Sequence, residues 1–244
     1  MYNFDAKEAT EGCIEWIREY AKNNNMHKVV IGISGGKDSY IAAALCCKAL
    51  GKENVIGIMM PNGEQKDISD SVDVCMDLDI EHYTVNIYDA YHGILGEVLA
   101  CGVGASAEAK INIAPRLRMT TLYTIGQTLH ARVCGTGNLS EITLGYCTKY
   151  GDMASDFNPL ANFTSVEVVQ IGDYLGLKHH LVHKTPADGI TGSSDEQNMG
   201  ITYLDTHNYI RGLSVSDKAI EKIKAREIMS MHKRNKIPSY NYFA

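Results

Sequence analysis

The chain has 244 residues, 45% of them apolar and 21% charged, with a net charge of −6. A chain of this length can form one α/β domain that buries about 70–75% of its unfolded surface, without disulfides or a structural metal. Mean hydropathy is −0.17, no apolar run approaches the 18 or so residues of a membrane span, and the start MYNFDAKEAT lacks a secretory signature. Composition thus excludes membrane, fibrous and disordered classes, and the acidic balance argues against a nucleic-acid coat. One domain over residues 1–244 is expected. The seven cysteines form no C-x-x-C pair, so reduced thiols in a cytoplasmic protein are expected, and the sequons at Asn138 and Asn162 carry no meaning.

Residues 5–24 place Ala9, Cys13, Trp16, Ile17 and Tyr20 at helical spacing. KVVIGIS (28–34) has the content of a buried strand, and a helix over 39–50 follows, ending at Gly51. The unit repeats with VIGIMM (55–60), a helix near 67–78, the strand YTVNI (83–87) and a helix near 88–100. Residues 110–131 carry Leu117, Leu122, Ile125 and Leu129 on one stripe of the longest helix, and ARVCGTG (131–137) reads as a fourth strand. Helical patterns return at 138–144, 166–176, 202–212 and 217–231. Between them, 184–200 is rich in Gly, Pro and Ser and is expected to form a lid. Residues 217–236 hold seven Lys and Arg against three acids, which reads as a solvated helix face. Strands alternating with helices predict a doubly wound parallel sheet with helices on both faces, and ligands beyond the strands' carboxyl ends.

At the first strand-to-helix junction stands Gly32-Ile33-Ser34-Gly35-Gly36-Lys37-Asp38-Ser39. Gly35 and Gly36 let the backbone turn tightly and approach a ligand without a Cβ in the way. The following helix directs free N–H groups and a positive dipole end at the loop, which makes an anion site. Ser34 and Ser39 add hydroxyls. Asp38 is a poor direct neighbour for a phosphate, so its expected partner is Mg²⁺ bridging to one. Neither the Walker spacing nor the Gly-x-Gly-x-x-Gly fingerprint is present.

SGGxDS after a first strand resembles the pyrophosphatase loop of the ATP-pyrophosphatase superfamily, whose members use ATP to adenylate an oxygen and release pyrophosphate. Further motifs narrow the resemblance. Asn112-x-x-x-Arg116-x-Arg118-Met119 comes first, then Gly135-Thr136-Gly137-Asn138-x-Ser140-Glu141, then Gly145-Tyr146-x-Thr148-Lys149-Tyr150-Gly151-Asp152. Asp156-x-Asn158-Pro159, Tyr174-Leu175-Gly176-Leu177, Lys184-x-Pro186-x-Asp188-Gly189, Asp195-Glu196 and His232-Lys233 complete an order similar to that of ammonia-dependent NAD synthetases, over roughly 25–240. The resemblance implies an adenine nucleotide alpha hydrolase-like, Rossmann-like fold. It implies amidation of deamido-NAD by ammonia through an acyl adenylate, with ATP as co-substrate, Mg²⁺ and a homodimer. Loop residues 32–39 would hold ATP phosphates, with Thr136 a further ATP contact. Asp38 and Glu141 would bind the metal, although Glu141 can also be read as a helix-capping carboxylate. Arg116, Lys149, His232 and Lys233 would contact the dinucleotide, and Asp156 would hold ammonia at the nicotinate end. Arg116 and Arg118, two apart on a helix, face different directions, so one of them is expected at that ligand. Tyr146 and Tyr150 are expected to pack. A zinc site at His179, His180 and His183 is disfavoured for want of a fourth ligand.

Two positions depart from the family pattern. Ser165 stands where the family has an ATP-binding Lys, and Ala187 where it has Ser or Thr. Lys37, seldom found in that loop of NAD synthetases, could restore the lost charge toward pyrophosphate. Free ammonia is the expected donor, with an external glutaminase left open. Two rivals remain: an adenylating relative with another acceptor, and a nucleotide-binding homologue with weakened catalysis.

Overall fold

The computed structural model describes residues 2–65, 68–184 and 195–241. Its elements run α1 (Ala6–Asn23), β1 (Lys28–Gly32), α2 (Lys37–Leu50), β2 (Val55–Met59), α3 (Ile68–Leu78), β3 (Glu81–Thr84), α4 (Tyr88–Ala100) and α5 (Ala107–Thr128). They continue with β4 (Ala131–Cys134), α6 (Leu139–Leu144), α7 (Ser165–Tyr174), α8 (His179–Val182), α9 (Asp195–Met199), α10 (Tyr203–Ile210) and α11 (Asp217–Arg234).

The four described strands form one parallel sheet in the order β3-β2-β1-β4. Val30 faces Ile56 across one ladder, and Ile31 faces Cys134 across the other. The strand order reverses at β1, where the chain has gone outward through β2 and β3 and returns to the far side as β4. Such a switch point opens a crevice at the strands' carboxyl ends.

Alternation along β1 sorts the two faces, as the pleat requires. Val29 and Ile31 join Ile17, Tyr40, Leu45, Val168 and Ile171 in a core shared with α1, α2 and α7. Val30 points the other way, into a smaller core with Ile58, Val133 and Ala114 that α4 and α5 cover. A third cluster of Leu144, Met199, Ile201, Tyr203 and Ile223 ties α6, α10 and α11 together beside the sheet. The doubly wound architecture expected from the alternation of elements is thus present.

Several boundaries differ from the sequence pattern. The strand expected at 83–87 begins at Glu81, because Ile56–Met59 pair with Glu81–Thr84. This is an edge strand with polar residues exposed on it, so hydropathy does not mark its start. Residues 85–87 still follow β2 and Pro61, with Val85 N–H donating to the Met59 carbonyl and Ile87 N–H to that of Pro61, both at 2.9 Å. The long helix begins at Ala107 rather than 110, because the Ser106 hydroxyl accepts the Ala109 N–H and caps it. Strands expected to reach Ser34 and Gly137 end at Gly32 and Cys134, leaving both glycine-rich segments as loops.

Candidate functional site

Both loops open into the crevice between β1 and β4. In the first, Gly35 has φ +76°, and a Cβ there would lie 2.9 Å from Asp70 Cβ and 3.0 Å from the Ser71 nitrogen. Only glycine satisfies both conditions. Ser39 is buried, and its hydroxyl donates to the Gly36 carbonyl at 3.0 Å while accepting the Ser34 N–H at 3.2 Å. It therefore shapes the loop. Ser34 is exposed at the crevice. Ile33 is a core side chain whose N–H continues the β1–β2 ladder to Ile58. Gly36 precedes α2 and offers no side chain to cap it, so the first turn is left for an anion.

The second loop turns into α6 through Asn138, which is fully buried. Its side-chain oxygen accepts the Glu141 N–H at 3.1 Å, while its own N–H donates to Glu141 Oε2 at 3.0 Å. This is a reciprocal cap, so Glu141 does have the structural role that its position allowed. The Asn138 amide also donates to Asp38 Oδ1 at 3.0 Å, fixing the start of α2 against the start of α6. One buried side chain thereby sets the spacing of both carboxylates.

Asp38 and Glu141 line one crevice of about 180 Å³ together with Ser34, Gly36, Thr136 and Asp152. Burial, followed by the charge of Asp38, pushes the Glu141 carboxyl up to about 8, and Lys37 pulls it back. Lys37 does not extend into the open crevice. Its side chain is 5% exposed, and its ammonium donates to Asp38 Oδ2 at 2.6 Å. A wider hollow of about 410 Å³ lies at Gly63, Asn86 and Tyr88, and it contains none of the loop residues. Of the two, only the smaller is lined by Ser34, Gly36, Asp38 and Glu141.

The remaining candidates fall into separate groups. Arg116, on α5, donates to the Lys149 carbonyl at 3.4 Å, while Arg118 turns to the Met60 carbonyl at 3.1 Å. Lys149 donates to the His232 carbonyl at 2.7 Å, and Lys233 to the carbonyls of Gly145 and Cys147 at 2.8 and 2.7 Å. Arg116, Lys149, His232 and Lys233 are thus joined through backbone carbonyls, where the end of α11 meets the segment after α6. Asp156 is exposed at the edge of β4, with Oδ2 accepting the Val133 N–H at 2.8 Å, and it does not line the crevice. Ser165 is buried in the first turn of α7, its N–H on the Ser140 hydroxyl at 3.1 Å. Ala187 and residues 185–194 of the expected lid lie outside the described residues.

Tyr146 packs against the third cluster. Tyr150 does not pack: it is 53% exposed, with the Lys149 ammonium over its ring. His179 stacks on His183, which pairs with Asp173, while His180 pairs with Asp73. Sequence reasoning gave no role to Asn138, Asp152 or Arg234. The first was legible in its spacing, since an Asn with Glu three residues later is a capping signal. The other two needed the fold to bring 152 to the crevice and 234 to the end of α6.

The family model described as NAD synthase matches residues 9–239. A Carboxydothermus hydrogenoformans protein named NH(3)-dependent NAD(+) synthetase is 35% identical, over 93% of this chain and 95% of its own length. Among solved structures, one described as NMN synthetase from Francisella tularensis has a TM-score of 0.92 at 34% identity, covering 98% of this chain and all of that one. The NH3-dependent NAD synthetase of Campylobacter jejuni has a TM-score of 0.79 at 29% identity, covering 98% and 100%. With the motifs in order, the crevice assembled and the likeness running almost end to end, the chain belongs to the NAD synthase family.

Proposed function

We infer that this protein is an ammonia-dependent NAD synthetase. The nicotinate carboxylate of deamido-NAD attacks the α-phosphorus of ATP, releasing pyrophosphate, and ammonia then attacks the acyl adenylate, giving NAD and AMP. A carboxylate resists ammonia until adenylation gives it a leaving group. The observation that carries this reading is the convergence of the glycine loop, Asp38 and Glu141 on one crevice at the switch point.

Loop N–H groups and the start of α2 would receive the phosphates, with Thr136 beside them. Mg²⁺ is commonly bound by one or two carboxylates together with substrate phosphates, and Asp38 and Glu141 fit that pattern. Among the described residues no group of three side chains forms a complete metal cage, so the phosphates would have to complete the site. Bound there, the metal would offset phosphate charge. Arg116, Lys149, His232 and Lys233 would face the dinucleotide. Asp156 is kept as the holder of ammonium, and Ser165 and Ala187 as the tolerated departures at ATP positions.

We further propose one domain, a reducing cytoplasmic setting, free ammonia that an external glutaminase could also supply, and a homodimer through α4 and α5. On these helices and the turn between them Ile94, Leu99, Val103 and Ile111 are 42–59% exposed, a cluster of a size that a subunit contact would cover. No helix among the described residues is long and apolar enough to cross a membrane.

A second reading keeps the chemistry and changes the acceptor. The Francisella tularensis neighbour is described as an NMN synthetase. Amidation giving NMN would start from nicotinate mononucleotide, which carries the same carboxylate without the adenylate half. Turnover of each acid with Mg-ATP and ammonium separates the two readings. NAD formed in preference to NMN supports the first, and NMN in preference to NAD supports the second.

A further inference from the structure

Lys37 lies in the loop assigned to phosphate, yet its charge is directed elsewhere. Its side chain is 5% exposed, its ammonium is 2.6 Å from Asp38 Oδ2, and it also lies over the Tyr203 ring at 5.9 Å from the centroid. The other Asp38 oxygen is held by Asn138 at 3.0 Å. A buried ammonium persists where a carboxylate compensates its lost hydration. Asp38 is therefore occupied on both oxygens by groups of this chain, one of them a full positive charge.

We infer that Lys37 is a resident counter-cation of the Asp38–Glu141 pair, which keeps a free divalent ion off Asp38 so that metal is accepted together with ATP phosphates. This deepens the reading of Asp38 and Glu141 as the metal carboxylates and rests on it. The ammonium and a divalent ion compete for one oxygen. A divalent ion at Asp38 Oδ2 would meet the ammonium at contact distance, and like charges that close repel strongly. Magnesium-like ions also give up water reluctantly, so a carboxylate already neutralised is a poor ligand. Phosphates change the balance, because they offer the ion further oxygens and offer the ammonium an alternative anion. The four-carbon stem of lysine gives it the freedom to turn from one to the other.

Binding of Mn²⁺ tests this without turnover. Free Mn²⁺ is followed by its paramagnetic resonance signal as protein is added, with and without α,β-methylene ATP. Lys37→Met keeps the length of the stem and removes the charge. Lys37→Gln is the second variant should the first fail to fold, and urea unfolding verifies each. The expected result is that either variant binds Mn²⁺ without nucleotide at least about tenfold more tightly than the parent, since one opposing charge is gone. The parent is expected to match them only when the analogue is present, beyond what the analogue binds alone. Equal Mn²⁺ affinity of parent and variants without nucleotide overturns the inference while leaving the metal reading intact. If Asp38→Asn binds Mn²⁺ as tightly as the parent in the presence of the analogue, Asp38 is no metal ligand, and both fall.

Discussion

Asn138 touches both carboxylates of the crevice, and its two functions can be separated by substitution. Asn138→Ala removes the cap of α6 and should cost about 1–2 kcal/mol in urea unfolding. Asn138→Ser keeps an oxygen to accept the Glu141 N–H but loses the amide donor to Asp38. It should retain most of the stability and still form NAD at least about tenfold more slowly, since Asp38 then loses the bond that positions it. Normal turnover in Asn138→Ser would show that the bond to Asp38 has no part in catalysis. Asp38→Asn, in turn, should lower kcat by about 100-fold or more, as expected for a group that acts on transition-state charge, and should also lower the unfolding midpoint, because the buried Lys37 ammonium loses its carboxylate partner.

At the scale of elements, two junctions hold the crevice in shape. The end of α11 is fastened to α6: Arg234 donates to the carbonyls of Ile142 and Thr143 at 3.0 and 2.8 Å, a cation at a helix C-terminus. Gly145 makes the approach possible. It has φ +62°, and a Cβ there would fall 1.9 Å from Ser230 Cβ. Gly145→Ala should therefore destabilise by about 2 kcal/mol or more, read as a lower melting temperature. The second junction lies at the start of α7, where Arg211 binds Glu167 through two bonds of 2.7 Å and Tyr2 donates at 2.6 Å. Burial alone would raise the Glu167 carboxyl, but Arg211, Tyr2 and the Thr164 N–H together hold it below the usual value. A carboxyl depressed on folding adds stability above its unfolded pKa and loses it as pH falls through the folded one. Glu167→Gln should thus unfold at lower urea than the parent at pH 7, with the gap closing as pH drops below about 4. A gap that is unchanged down to pH 3 would contradict this assignment.

These junctions also mark how far the sequence was legible. β1, β2 and the helix between them were readable because both faces of the sheet are buried and the apolar runs are unbroken. β3 was placed two residues late because an edge strand carries little hydropathy contrast. The glycine loop and Glu141 were legible as local spacings. The direction of Lys37 was not, since sequence cannot tell whether an ammonium turns to a phosphate or to its neighbouring carboxylate. Nor could it show that Lys149 and Lys233 reach backbone carbonyls more than eighty residues away.

On the scale of the whole molecule, a four-stranded sheet with its switch point at β1 brings residues 32–39 and 136–141 together, and α6, α10 and α11 close one side. In the proposed homodimer the exposed apolar residues of α4 and α5 would meet a second copy of the chain. Leu99→Asp should shift the protein from dimer to monomer in sedimentation, and a parent that sediments as a monomer would refute this contact. The reaction itself is tested by one turnover assay. Protein is given Mg-ATP, ammonium and deamido-NAD, or nicotinate mononucleotide in parallel, and amide product and pyrophosphate are read together. NAD and pyrophosphate are expected in equal amounts from deamido-NAD, both lost in Asp38→Asn. Folded protein that binds ATP but forms no NAD would contradict it.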